Sequence, residues 1–238
     1  MSGGTRVRGV GYQPVGMLSR PVFPGLTGHE VGQHMARGQR TAEADTPTGS
    51  VPERLLGAAT RLFASNGYEG TSVQEVVAAA GVTKGAMYHY FGSKDDLLYE
   101  VYARVLRMQT EHLVRIASRE EPVADRVHAA AADVIVTSVA NLDDTVIFFR
   151  SMHQLSEDKQ RAVRAERRRY HEIFRDMVAQ GQDEGVFRTD VSADLVVNYF
   201  FGSVHHLSTW YRPGGALGGE DVGRHFADLL VAGLRPGT

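Results

Sequence analysis

A chain of 238 residues, 42% of them hydrophobic, is long enough to bury one large core or two modest ones. It contains no cysteine, which excludes disulfides, thiolate metal sites and cysteine nucleophiles and fits a reducing, cytoplasmic setting. A net charge of −2 argues against indiscriminate polyanion binding, so any affinity for nucleic acid must come from locally placed cations. No stretch approaches the roughly 18–20 apolar residues of a membrane helix, so a soluble molecule without a membrane partner is expected.

Residues 1–49 are rich in Gly, Pro, Thr and Ser and carry neither a helical nor a strand period, which predicts a disordered N-terminal extension. Gly9-Val10-Gly11 is not a dinucleotide fingerprint, because Pro14 stands where the third glycine belongs. Met35 opens a short basic stretch, and the native chain is expected to begin either there or at Met1.

From Ser50 onward the pattern is helical. Ser50-Val51-Pro52-Glu53 is a capping box, followed by Leu55, Leu56, Ala59, Leu62 and Phe63 at helical spacing and a stop at Asn66-Gly67. Ser72-Val73-Gln74-Glu75 opens a second helix that carries Val73, Val76, Val77 and Ala80 on one side and ends at Gly81. Thr83 caps a short third helix to about Tyr90, and Ser93 caps a long fourth.

Two short helices joined by a tight glycine-containing turn make a helix-turn-helix over about 72–91, whose second helix enters the major groove. That second helix presents donors, namely Thr83, Lys84, Tyr88 and His89, while Gly85 and Ala86 are small enough for close backbone approach. Lys94 adds a cation beside helix N-terminal amides, a pairing that suits phosphate. Of the aromatic run, Tyr90 and Phe91 are expected in the core, whereas the polar tips of Tyr88 and His89 suit a wet surface.

The run Val82-Thr-Lys-Gly-Ala-Met-Tyr-His-Tyr-Phe91-Gly-Ser-Lys94 resembles the signature of the TetR family of repressors, and with the first helix the likeness covers about residues 51–100. The resemblance implies an all-α fold: a three-helix DNA-binding domain (50–110) followed by a helical effector-binding and dimerisation bundle (111–238). It implies that Ser72, Thr83, Lys84, Gly85, Tyr88, His89 and Lys94 face a double-stranded operator. Ala79, Val82, Met87 and Phe91 would then hold the three helices together.

Beyond the fourth helix (about 93–118), helices are expected at 122–140, 143–154, 156–183, 192–211 and 219–235, punctuated by Pro122, Asn141–Asp144, Gly185 and the Pro213-Gly-Gly215 run. The 192–211 helix carries two apolar stripes, Val196/Phe200/Val204/Leu207/Tyr211 and Leu195/Tyr199/His206/Trp210, and so needs two partners. The last helix is one. The resemblance implies that a second copy is the other, giving a homodimer that reads a palindrome.

Phe148, Phe149, Met152, Tyr170, Phe174, Met177 and Trp210 are the candidates for an effector pocket between helices. Trp210-Tyr-Arg-Pro-Gly-Gly215 is similar to a segment of TetR-type repressors that sense acyl-CoA thioesters in lipid and steroid breakdown. The basic run Arg161, Arg164, Arg167, Arg168 and Arg169 is either a solvated helix face, balanced by Glu157, Asp158 and Glu166, or a phosphate site. An enzyme is the rival class and fits poorly: His205-His206 point about 100° apart, and there is no H-E-x-x-H, P-loop or G-x-S-x-G. No catalytic residue, metal ligand or cofactor is therefore assigned.

Overall fold

The computed structural model describes residues 49–237, apart from the side chain of Phe149. The expected disordered extension thus lies, but for Gly49, outside the described residues. Among the described residues every regular element is helical: α1 (Val51–Asn66), α2 (Val73–Ala80), α3 (Lys84–Tyr90), α4 (Lys94–Ala117), α5 (Val123–Ala140), α6 (Leu142–Ser151, prolonged by a 3-10 turn at Met152–Gln154), α7 (Glu157–Asp183), α8 (Ala193–His205), α9 (Leu207–Trp210) and α10 (Gly219–Leu234).

Local chemistry sets the helix starts. The Ser50 amide donates to Glu53 Oε2 at 2.7 Å, and the Ser72 amide donates to Glu75 Oε2 at the same distance. These contacts satisfy N-terminal amides that have no intrahelical partner. At the far end of α4, buried Arg126 reaches back from α5 and donates to the Ala117 carbonyl at 2.7 Å, so that a cation sits on the negative end of the helix.

The expected single helix over 192–211 is broken at His206. There the amides bond three residues back rather than four: His206 to the Ser203 carbonyl at 3.2 Å and Thr209 to the His206 carbonyl at 3.0 Å. His206 Nδ1 meanwhile takes the Gly202 carbonyl at 3.0 Å, so the side chain occupies the acceptor that the α-helical ladder would have used.

Two apolar cores organise the chain. The first gathers Leu55, Ala59 and Phe63 of α1, Val76 and Val77 of α2, Met87 of α3 and Leu97, Leu98 and Val101 of α4, and is completed by Ile147, Leu155 and Val163 from much later in sequence. The second gathers Leu113 and Ile116 of α4 with α5, α7, α8 and α10 around Phe174, Phe200 and Phe201. α4 therefore belongs to both, and residue 110 lies within it. Helices α5 and α10 approach closely at Gly223, where a Cβ would come within 2.9 Å of the Ala132 carbonyl.

Polar ties cross between the cores. Lys159 Nζ of α7 lies 2.6 Å from both Asp95 and Asp96 at the start of α4. Arg104 of α4 donates to Thr60 of α1 at 3.2 Å and to the buried Asp144 of α6 at 3.1 Å.

Candidate functional site

The α2–α3 unit is held by its turn. Gly81 takes the left-handed conformation (φ +62), its amide bonding the Ala78 carbonyl at 3.1 Å and the Val82 amide bonding Val77 at 3.0 Å. Thr83 Oγ1 then accepts from the Ala86 amide at 3.1 Å and starts α3. Met87 is fully buried and Phe91 nearly so, the latter because its extended conformation after the helix turns the ring inward.

On the other side, Thr83, Lys84, Gly85, Tyr88 and His89 are exposed together, and Ser72 is exposed at the start of α2. Lys94 is half-buried, with its Nζ 4.1 Å above the ring of Tyr68. Among the described residues neither Lys84 nor Lys94 is ion-paired, whereas the nearby Asp95 and Asp96 share Lys159.

Two packing expectations fail here. Tyr90 is 50% exposed and set edge-on to His89, because Met87 and Phe91 fill the inward side of so short a helix. Ala79 is exposed because the inward stripe of α2 is Val76, Val77 and Ala80.

A cavity of about 100 Å³ opens between α4, α5, α6, α7 and α8. Phe148 and Tyr170 line it. Phe174 is instead in the core, stacked on Phe200 at 5.1 Å, and Met177 is packed there too. Met152 packs against the first core, and Trp210 stands half-exposed, stacked on Phe226 at 6.2 Å. The Phe149 side chain lies outside the described residues.

Sequence reasoning did not assign Tyr102, Arg167, His171, Phe201 or His205 to this cavity, though all line it. The available signal was the i, i+4 pairs Arg167/His171 and Phe201/His205, polar groups at the inward register of their helices. Arg167 lies 4.4 Å over the Phe148 ring and donates to His205 Nε2 at 3.0 Å. Burial, reinforced by the Arg167 charge, holds both His171 and His205 down to about 4, so both are neutral near pH 7. Among the described residues Arg167 has no carboxylate partner, and Asp144, also in the wall, is committed to Arg104.

Arg167 and His171 also form one wall of a wider groove of about 380 Å³ that carries Arg164, Arg168 and Arg175, with Glu172 and Asp194 opposite in charge. The basic run of α7 is thereby divided: Arg161 pairs with Asp158, while Arg167 turns inward. Elsewhere Leu195 and Tyr199 of α8 and Leu229 of α10 are 58%, 72% and 74% exposed among the described residues. Among the described residues no helix is long and apolar enough to cross a membrane, and no cluster of His, Asp and Glu is arranged to hold a metal.

Residues 55–101 match the model of bacterial regulatory proteins of the TetR family, and residues 120–234 match the tetracyclin repressor-like C-terminal domain. The chain is 26% identical over 204 residues to the HTH-type transcriptional repressor KstR2 of Mycolicibacterium smegmatis, covering 80% of this chain and 94% of that one. Its fold superposes on the TetR-family regulator PfmR of Thermus thermophilus with a TM-score of 0.70 at 29% identity, covering 76% of this chain and 99% of that one. It superposes on AibR, solved with isovaleryl coenzyme A and operator DNA, with a TM-score of 0.67 at 24% identity, covering 79% and 100%. With both halves matched in order, and with a helix-turn-helix whose outer face is exposed among the described residues, the chain belongs to the TetR family of DNA-binding transcriptional regulators.

Proposed function

We propose that this protein is a cytoplasmic, homodimeric repressor that grips a palindromic operator through α3 and releases it when an acyl-CoA thioester enters the bundle. The observation that carries the reading is the outer face of α3: Thr83, Lys84, Gly85, Tyr88 and His89 lie exposed together on a helix whose opposite side is anchored by buried Met87. Lys84 and Lys94 supply phosphate contacts, Ser72 presents its exposed hydroxyl at the start of α2, and Tyr88 and His89 add donors toward the groove. Residues 50–110 do the reading and 111–238 the sensing, with α4 common to both.

Dimerisation is supported by the exposed Leu195, Tyr199 and Leu229, an apolar surface that a second copy would bury. An acyl-CoA is supported by the sequence of surfaces along α7: an apolar cavity, the Arg167 guanidinium at its rim, then a groove bearing Arg164, Arg168 and Arg175. That order suits a ligand with an apolar end and a phosphorylated one. The KstR2 relatives are named as repressors, which agrees with the sign of regulation proposed.

Fluorescence anisotropy with DNA from upstream of the protein's own gene tests the reading. Wild type should bind with a steep loss of affinity as salt rises, and Lys84→Ala and His89→Ala should each weaken binding by about tenfold, a loss of the 1–3 kcal/mol expected of a base or phosphate contact. Acyl-CoA should lower operator affinity by about 5- to 150-fold, and operator should lower acyl-CoA affinity by the same factor. Normal binding by both variants would remove α3 as the reading face.

A further inference from the structure

The Tyr170 hydroxyl stands out among the buried polar groups. Tyr170 is 4% exposed and lines the cavity, its ring is wedged edge-on to Phe201 at 5.5 Å, and among the described residues its Oη has no hydrogen-bond partner. A buried hydroxyl left unpaired is costly, and native structures rarely keep one without a use. Nearby, the Arg167 side chain offers only donors, and its contact with His205 Nε2 leaves guanidinium N–H groups over for another acceptor. In this wall the Tyr170 hydroxyl and the remaining Arg167 N–H groups are donors that an oxygen atom of a ligand would satisfy.

The size of the cavity sets a second limit. About 100 Å³ is smaller than the cavity of about 150 Å³ that takes a benzene ring. Room of this kind fits roughly four or five carbon atoms and not a long chain or a ring system.

Resting on the acyl-thioester reading above, we infer that the cavity selects a short acyl group and that Tyr170 Oη donates to its carbonyl oxygen, with Arg167 as the second donor. Tyr170 is thus a specificity-determining residue. It rewards an oxygen at the point where the apolar group ends, and the volume beyond sets the length. A thioester carbonyl and a free carboxylate share the acceptor, so both sources enter the test.

Calorimetric titration of the full-length dimer would compare butyryl-, isovaleryl-, lauroyl- and palmitoyl-CoA, coenzyme A alone, and free butyrate and isovalerate, in wild type and Tyr170→Phe. The expected result is tighter binding of the short acyl-CoAs than of the long ones. Tyr170→Phe should weaken the short ones about tenfold, the order of one hydrogen bond, and leave coenzyme A unaffected. Because the lost hydroxyl has no partner among the described residues, Tyr170→Phe should melt at the same temperature as wild type or higher; a lower melting temperature would overturn the inference by revealing a structural bond. Equal affinity for long and short chains, or wild-type affinity in Tyr170→Phe, would also overturn it while leaving the acyl-CoA reading standing. Tyr170-dependent binding of the free acids without any binding of acyl-CoA would do the reverse. Binding by none of these ligands would defeat both.

Discussion

The α3 face and the bundle cavity handle polar side chains in opposite ways. On α3 the donors lie exposed, with Lys84 over the Tyr88 ring at 5.8 Å and His89 edge-on to Tyr90 at 4.9 Å. In the cavity Arg167, Tyr170, His171 and His205 are withdrawn from water, and burial depresses the Arg167 and imidazole pKa values and raises that of Tyr170. Exposure suits the phosphate contacts proposed for that surface. A site that must tell one small molecule from another gains from desolvated groups, whose hydrogen bonds are stronger and whose unmet bonds are costly.

The largest effects should come from the cores behind these two surfaces. Met87→Ala in the first core should cost about 2–5 kcal/mol and Phe174→Ala in the second about 3–5 kcal/mol, read from urea melts. Because α4 enters both cores and Ile147, Leu155 and Val163 complete the first, each variant should still unfold in one transition. A biphasic melt for Met87→Ala would show that the reading unit and the bundle are energetically separate.

Next in size is Arg126→Met. The guanidinium donates to the Ala117 and Glu121 carbonyls and to Gln180 Oε1 at 2.7–3.1 Å, bonds of a charged donor to neutral acceptors. Its removal should cost about 1.5–3 kcal/mol, and a neutral result would mean that water replaces the guanidinium at the end of α4.

Acid should act on the cavity before it acts on the caps of α1 and α2. Unfolded imidazoles take up protons near pH 6.5, whereas His171 and His205 do so only near 4. Between those values the unfolded chain binds more protons, so stability falls as pH drops from 6.5 toward 4 and these two groups cost nothing further below that. Capping residues Glu53 and Glu75, held below the usual carboxylate range by their serine partners, contribute stability that is lost only at lower pH. The melting temperature should therefore be lower at pH 5 than at pH 7, and the drop should shrink in His171→Phe, which keeps a ring against Phe201. An undiminished drop would assign the acid sensitivity elsewhere.

The smallest stability changes belong to the reading face. Lys84→Ala and His89→Ala should each stay within about 0.5 kcal/mol of wild type, despite the loss of operator binding expected above. Tyr88→Phe should weaken operator binding less than either, since only a hydroxyl contact is removed. If these variants unfold, the α3 side chains are structural and the contrast between exposed reader and buried sensor dissolves.

Much of the reading unit could be seen in the chain itself, because the signals there are local. Ser50 with Glu53, Ser72 with Glu75, Gly81 and Thr83 each act within one helical turn, and the structure shows each contact at the position its spacing implied. Tyr90 was misjudged because aromatic character favours burial on average, whereas room on the inward side of a seven-residue helix is limited and Met87 and Phe91 occupy it. The bundle was harder. Apolar stripes located its helices but not the angles between them, and Phe174 and Phe148 look alike in sequence although one is core and the other cavity wall.

By itself the sequence determined what depends on neighbours three or four residues apart: the helices, their caps, the helix-turn-helix and the donors on its free side. Tertiary structure alone decided where four polar groups from α7 and α8 met around a cavity, that Lys159 would pair with both Asp95 and Asp96, and that the 192–211 helix would break at His206. Those outcomes turn on packing between elements far apart in the chain, where a shift of one ångström decides whether a side chain fills a gap or lines it.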